Sequence, residues 1–219
     1  MRLSWWKILS IVCLLYAVIG GLLIPVPAKP IVNESIRNLY YHVPMWFSMM
    51  VMFFASVFYS IKYLSNGKWL NDIYAHRFAV SGMVMGVLGL ITGAIWANYT
   101  WGAPWSNDIK QILAALALLM YAAYFILRGS ITDIDKRARI SAVYNIFAFA
   151  MLFPTLWIIP RLYESLHPGG EGNPALNQKD IDPLMRMVFW PAVVGWTLLV
   201  LWITTLYIRL QKIFDKSLL

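Results

Sequence analysis

Apolar residues in this chain are gathered into long blocks, with polar residues confined to short gaps between them. Six blocks are long enough to cross a bilayer as helices, given the ~20 residues that one crossing requires. They run over residues 5–24, 41–64, 78–98, 112–127, 140–160 and 184–208. The gaps are short. The longest holds Pro168, Gly169, Gly170, Gly172, Pro174 and Pro183, which is turn chemistry. The pattern predicts an all-α polytopic membrane protein of six transmembrane helices, folded as a single domain over 1–219.

Composition agrees. Apolar residues make up 60% of the 219 and charged residues 13%. A soluble domain of this size has about 45–50% apolar and about 25% charged residues, so lipid is the expected solvent. The single cysteine, Cys13, excludes an intrachain disulfide, and no CxxCH haem-attachment motif occurs. Arg2 and Lys7 flank the first block much as they would in a signal peptide. The block has full-span length and lacks an A-x-A cleavage site, so it is read as a retained helix.

The net charge of +8 is explained by topology rather than by nucleic acid. Twelve of the eighteen basic residues fall at one set of ends: Arg2, Lys7, Lys62, Lys68, Arg77, Arg128, Lys136, Arg137, Arg139, Arg209, Lys212 and Lys216. The other set has Lys29, Arg37, Lys110, Arg161, Lys179 and Arg186. The positive-inside rule then places both termini in the cytoplasm. Within the third block Gly82, Gly86, Gly89 and Gly93 carry GxxxG spacings, read as close helix packing. Pro154, Pro160 and Pro191 are expected to kink or end their helices.

Candidate chemistry lies on the outer side. His42 stands at the outer mouth of the second block and His167 just past the fifth, while His76 falls in a polar cytoplasmic loop beside Arg77. Between the two outer histidines lies a Trp-rich outer loop over 96–110. It holds Trp96, Trp101 and Trp105, and Asp108 where the next helix begins. Each feature has an ordinary explanation: an interfacial aromatic belt, a hydrogen-bonded histidine, a helix cap. Together they suit a flat, apolar ligand stacked on indole faces, its metal held between two neutral imidazoles. Its carboxylates would meet Arg37, Lys110 or Arg186. A bare metal would leave the tryptophans without a role.

The segment Trp101-Gly-Ala-Pro-Trp105-Ser-Asn-Asp108 resembles the tryptophan-rich WWD signature of the CcmC/CcsA family of cytochrome c maturation. Arg37-Asn-Leu-Tyr40-Tyr-His42-Val-Pro44 is similar to that family's His-Val-Pro element, and His167 matches its second external histidine. Asn107 stands where the family commonly has a further Trp. The resemblance implies transient, non-covalent binding of haem b at the outer face of the bacterial inner membrane. His42 and His167 would be the axial ligands, and Trp96, Trp101, Trp105 and Asp108 the platform. It also implies delivery to a CcmE-type periplasmic haem chaperone, ABC-transporter subunits of CcmA/CcmB type and a small CcmD-type subunit. The chain itself has no GxxxxGK[ST] loop and is not the ATPase. It carries no catalytic carboxylate pair or Ser-His-Asp arrangement, so a binding and transfer role is favoured over an enzyme. Rival readings are a cytochrome b-like electron-transfer subunit, a small-solute permease, and a scaffold that binds its partner without haem.

Overall fold

The computed structural model describes residues 4–28, 31–167 and 181–217, with side chains to 214. Lys29, Lys179 and most of the Gly/Pro-rich gap at 168–180 lie outside the described residues. The helices are α1 (Trp5–Leu23), α2 (Leu39–Asn66), α3 (Trp69–Trp101), α4 (Ile109–Ser130), α5 (Ile134–Phe153) and α6 (Pro183–Ser217). A 3-10 segment, Asn33–Asn38, leads into α2. Beyond α5 the chain continues as a π-turn, Pro154–Ile158, and a 3-10 turn, Ile159–Arg161. All six helical units are long and apolar enough to cross a membrane, and no strand occurs among the described residues.

Helix ends follow local chemistry. α2 and α3 stop at Gly67 (φ 63°) and Gly102 (φ 79°), left-handed positions that glycine adopts without penalty. Asp108 and Asp133 cap α4 and α5 by accepting from the backbone N–H of Lys110 and Lys136. Pro154 lacks an N–H, and the α-helical ladder of α5 gives way to the π-turn there. Pro191 is accommodated inside α6.

The structure corrects four expectations: the start of α3, the end of α6, the setting of His76, and the Trp-rich loop over 96–110, whose residues 96–101 are the last turns of α3. α3 begins at Trp69 rather than 78, and α6 runs to Ser217 rather than 208. Helical hydrogen bonding continues past the point where apolar composition ends, so a hydropathy window sees only the lipid-facing middle. His76 is therefore not in a loop. It sits in the second turn of α3, its ring centroid 6.0 Å from Phe125 and 6.5 Å from Tyr124.

Packing is that of a membrane bundle. Large apolar side chains point outward, among them Ile126 (73% exposed) and Leu119 (64%). Polar groups are buried between helices. Asn145 Nδ2 donates to Ser56 Oγ (2.7 Å) and Ser60 Oγ (2.8 Å), and Ser56 donates on to the Ala75 carbonyl (2.6 Å). In lipid, side-chain hydrogen bonds and small-residue contacts hold helices together where water would have used apolar burial. The α3 glycines serve this purpose. A Cβ on Gly82 would meet Phe53 at 2.6 Å, and one on Gly86 would meet Met49 Sδ at 2.7 Å, so α2 and α3 lie in close apposition. α2 also packs on α5 and α6, and α1 rests on α6.

At one end of the bundle Arg128 of α4 grips Asp72 of α3 through two hydrogen bonds of 2.7 Å. Both side chains are nearly buried. Removing one partner from such a pair strands a buried charge, at a cost of about 3–5 kcal/mol. Asp72→Ala is therefore expected to lower unfolding free energy in detergent by about that amount. Asp72→Ala/Arg128→Met is expected to recover most of it, as read by denaturant titration of both variants.

Candidate functional site

The ends of four helical units opposite the Asp72–Arg128 pair enclose a cavity of about 240 Å³. The N-terminal half of α2 supplies His42, Trp46 and Met50. The C-terminal half of α3 supplies Gly93, Trp96 and Trp101. The loop and start of α4 supply Trp105, Lys110 and Gln111, and the π-turn supplies Thr155 and Trp157. His167 closes the set. His42 and His167, 125 positions apart in sequence numbering, thus share one cavity. His76 lies far down α3 from it.

Each cavity imidazole is fixed through its Nδ1. His42 Nδ1 lies 2.9 Å from the Gly89 carbonyl, with Thr92 Oγ1 at 3.3 Å. A carbonyl only accepts, so Nδ1 carries the proton, and in the neutral ring the lone pair is on Nε2. His167 Nδ1 lies 2.9 Å from Asp108 Oδ1, which sets the same tautomer. Neither Nε2 makes a hydrogen bond among the described residues. Indoles stand at the ring edges: Trp96 (6.0 Å) and Trp46 (6.3 Å) beside His42, and Trp101 (4.9 Å) beside His167.

Asp108 is the anchor of the second half. Its carboxylate accepts from the Lys110 backbone N–H (2.9 Å), the Leu166 N–H (2.7 Å), Ser165 Oγ (3.1 Å) and His167 Nδ1 (2.9 Å). One buried side chain thereby caps α4 and clamps 165–167 against it. Burial alone would raise its pKa. The Leu166 N–H, His167, Ser165 and Lys110 N–H outweigh that and hold the carboxyl below its ordinary value. A carboxyl with lowered pKa stabilises the fold above its unfolded pKa, and that contribution is lost as pH falls through the folded value. The clamp therefore persists through mild acid. Burial pushes His167 below the usual histidine range, Asp108 opposes this, and Lys110 reinforces it. Burial thus favours the neutral imidazole, the form competent as a metal ligand.

The remaining candidates divide. Trp96 lines the cavity and is held by an indole N–H bond to Ser35 Oγ (3.1 Å). Trp101 and Trp105 line it as well. Asn107 sits at φ 56°, a left-handed conformation that asparagine tolerates, and accepts the Trp105 indole N–H at 2.8 Å. Asp108 stands behind His167 and does not line the cavity. Arg37 is turned away: it pairs with Glu34 (2.7 Å) and caps α1 through the Gly21 and Ile24 carbonyls (2.7 and 2.8 Å). Arg186 does not line the cavity either, and its Nε is buried without a hydrogen-bond partner. Lys110 is the cation that does.

Sequence reading missed Trp46, Trp157 and Gln111. Trp46 follows His42 by four, one helical turn along the same face, and that spacing is a usable signal. Gln111 takes the Ser106 N–H (2.9 Å) and hydroxyl (3.0 Å), tying the Trp-rich loop to α4. Trp157 depends on the π-turn, which hydropathy does not reveal.

Two neutral imidazoles with free Nε2 atoms, indole walls and a lysine suit a flat apolar metal complex with anionic substituents. A bare cation is poorly served, because no group of three or more His, Cys, Asp or Glu comes together among the described residues. His76 is the third and last histidine of the chain. It has no imidazole partner at its own end, so a second haem of the cytochrome b kind lacks a ligand pair.

The family described as heme exporter protein C (CcmC) matches residues 1–217. Similar curated proteins are named cytochrome c biogenesis protein CcsA. One from Prochlorococcus marinus (strain MIT 9515) is 39% identical over 82 residues, 37% of this chain and 26% of that protein. One from Parasynechococcus marenigrum is 34% identical over 90 residues, 41% and 29%. One from Thermosynechococcus vestitus is 32% identical over 111 residues, 51% and 34%. The matched stretches thus span about a quarter to a third of these relatives' length.

In the haem-free protein His167 is expected to titrate below the free-histidine value of 6.5. Asp108→Asn is expected to move it lower still, because the carboxylate's attraction for imidazolium is lost while burial stays. Side-chain NMR of 15N-histidine protein across pH checks both the position and the sign.

Proposed function

Since the chain belongs to the heme exporter protein C family, CcmC, we propose that it binds haem b transiently in the cavity and hands it to a periplasmic chaperone. The observation that carries this reading is the pair of Nδ1-tethered imidazoles, His42 and His167, on one indole-walled cavity. Both present Nε2 as the available nitrogen, the arrangement a six-coordinate haem iron takes from protein. Trp96, Trp101 and Trp105 form the apolar walls for the porphyrin, with Trp46 and Trp157 added. Lys110 lines the cavity and meets a haem carboxylate, whereas Arg37, bound to Glu34 and the α1 carbonyls, and Arg186 do not line it. Asp108 acts through His167, by orienting it and raising its basicity.

The cavity end faces the periplasm of the bacterial inner membrane and both termini face the cytoplasm, a reading supported by the distribution of Lys and Arg. The carrier must release what it holds. Absence of CxxCH from the chain leaves haem without thioether bonds. The two ligands have unequal mounts. His42 sits inside the packed α2–α3 pair, while His167 sits at the end of the non-helical stretch 162–167, held by one carboxylate. Release therefore proceeds from the His167 side. Loaded haem passes to a CcmE-type chaperone, with ABC-transporter subunits of CcmA/CcmB type and a CcmD-type subunit as partners.

Absorption spectra of protein purified after co-expression with such a chaperone test the reading. The parent is expected to show a low-spin bis-imidazole spectrum, lost or shifted in both His42→Ala and His167→Ala. An unchanged spectrum in both variants removes the ligand assignment. Lys110→Ala is expected to weaken haem binding about tenfold, the worth of one charge-assisted hydrogen bond. Arg37→Ala is expected to lower thermal stability and leave haem affinity unchanged, as read by haem titration of each variant beside its melting curve.

A further inference from the structure

The four glycines of α3 lie along α2, but their neighbours differ. Gly82 and Gly86 receive the core side chains Phe53 and Met49. Gly89 and Gly93 receive Trp46 and His42. A Cβ on Gly93 would stand 2.6 Å from Cε1 of His42 and 3.2 Å from its Nδ1. A Cβ on Gly89 would stand 2.9 Å from the Trp46 indole. Real side chains do not approach so closely, so the imidazole occupies space that exists only because residue 93 has no side chain.

A second observation bears on the same ring. The Gly89 carbonyl takes its Nδ1–H at 2.9 Å, and Thr92 Oγ1 lies 3.3 Å from the same nitrogen. The Thr92 hydroxyl is itself held by the Leu88 carbonyl at 2.8 Å. Residues 89, 92 and 93 share one face of α3, at i, i+3 and i+4. The ring is thus oriented from Nδ1 by positions 89 and 92 and given its room at Cε1 by position 93. We propose that Gly93 is a positioning residue for His42, fixing the direction in which its Nε2 is presented to the cavity. The glycine spacing then does two jobs: helix packing at 82 and 86, and ligand orientation at 89 and 93. The inference rests on the haem-binding reading for its purpose, and on the haem-free geometry for its content.

A methyl group at 93 must push Cε1 away. The ring then rotates about Cβ–Cγ, draws Nδ1 off the Gly89 carbonyl and swings Nε2 with it. Gly82→Ala is the matched control, because its Cβ would also meet an aromatic ring at 2.6 Å, about 16 Å further along α3 at 1.5 Å per residue.

The test compares Gly93→Ala with Gly82→Ala in the full chain. In haem-free protein, 15N NMR of histidine side chains is expected to show His42 as the Nδ1–H tautomer in the parent and in Gly82→Ala. The resonance is assigned by its loss in His42→Ala, and in Gly93→Ala the hydrogen-bonded signature is expected to disappear. In haem titrations Gly93→Ala is expected to weaken binding about 10–100-fold, as losses of ligand-orienting contacts do, and to show part of the haem as five-coordinate. Gly82→Ala is expected to keep the parent spectrum while melting at lower temperature. Both variants behaving alike in the NMR arm overturns the proposal. If Gly93→Ala does not accumulate, His42→Gly/Gly93→Ala removes the ring that the methyl meets and is expected to restore accumulation; its failure to do so also overturns the proposal. The NMR arm uses no haem, so its outcome is separate from that of the haem-binding reading, which the parent spectrum tests.

Discussion

Both cavity histidines spend their Nδ1–H on an acceptor supplied by the protein, and the cavity end of the molecule is organised around those two bonds. For His42 the acceptor is the Gly89 carbonyl, which it can reach only because α2 and α3 lie in glycine-mediated contact. For His167 it is the Asp108 carboxylate, buried and supplied with three further donors. Fixing Nδ1 fixes the tautomer, the ring plane and the free nitrogen together. It also ties ligand geometry to the fold: a shift of α3 against α2 moves one imidazole, and a loosening at the start of α4 moves the other.

The two mounts differ in kind. A helix carbonyl is neutral and rigid. A carboxylate is charged, strengthens the basicity of the ring it holds, and here also anchors the segment that carries that ring. Burial keeps His167 neutral, and a cluster of donors keeps Asp108 charged. The pair is poised as imidazole and carboxylate rather than as a shared proton. Around them the bundle follows membrane rules. Hydroxyls, amides and small residues lie between helices beside buried Met49, Phe53, Leu152 and Phe189, while many other leucines and isoleucines face outward, so the site is built at one end of a scaffold held by both kinds of contact.

Much of this was legible in the sequence. Block length gave the six helices, and the placement of His42 and His167 at one end of the bundle followed from the alternation of the spans. The tryptophan cluster was visible as composition, but Trp96 and Trp101 belong to α3 and only 102–108 form the connection. What was not legible depended on direction. Arg37 stands one turn before His42 and reads as a ligand for an anionic group, yet its guanidinium is taken by the open carbonyls at the end of α1. Asp108 reads as a helix cap or a cavity residue, and it is a cap that also holds His167. His76 reads as a loop residue because hydropathy falls before the helix ends. Trp157 enters the cavity through a π-turn that only Pro154 hinted at. For Arg37 and Asp108 the direction of the side chain is set by partners remote in sequence, the carbonyls of Gly21 and Ile24 and the 165–167 segment.

Pulsed EPR of the ferric, haem-loaded protein, prepared with 15N-histidine, tests the central claim most directly. Two histidine nitrogens coupled to one iron, both persisting in His76→Ala, are predicted. Coupling to a single protein imidazole, or to none while haem remains bound, would contradict a site built from the Nε2 atoms of residues 42 and 167.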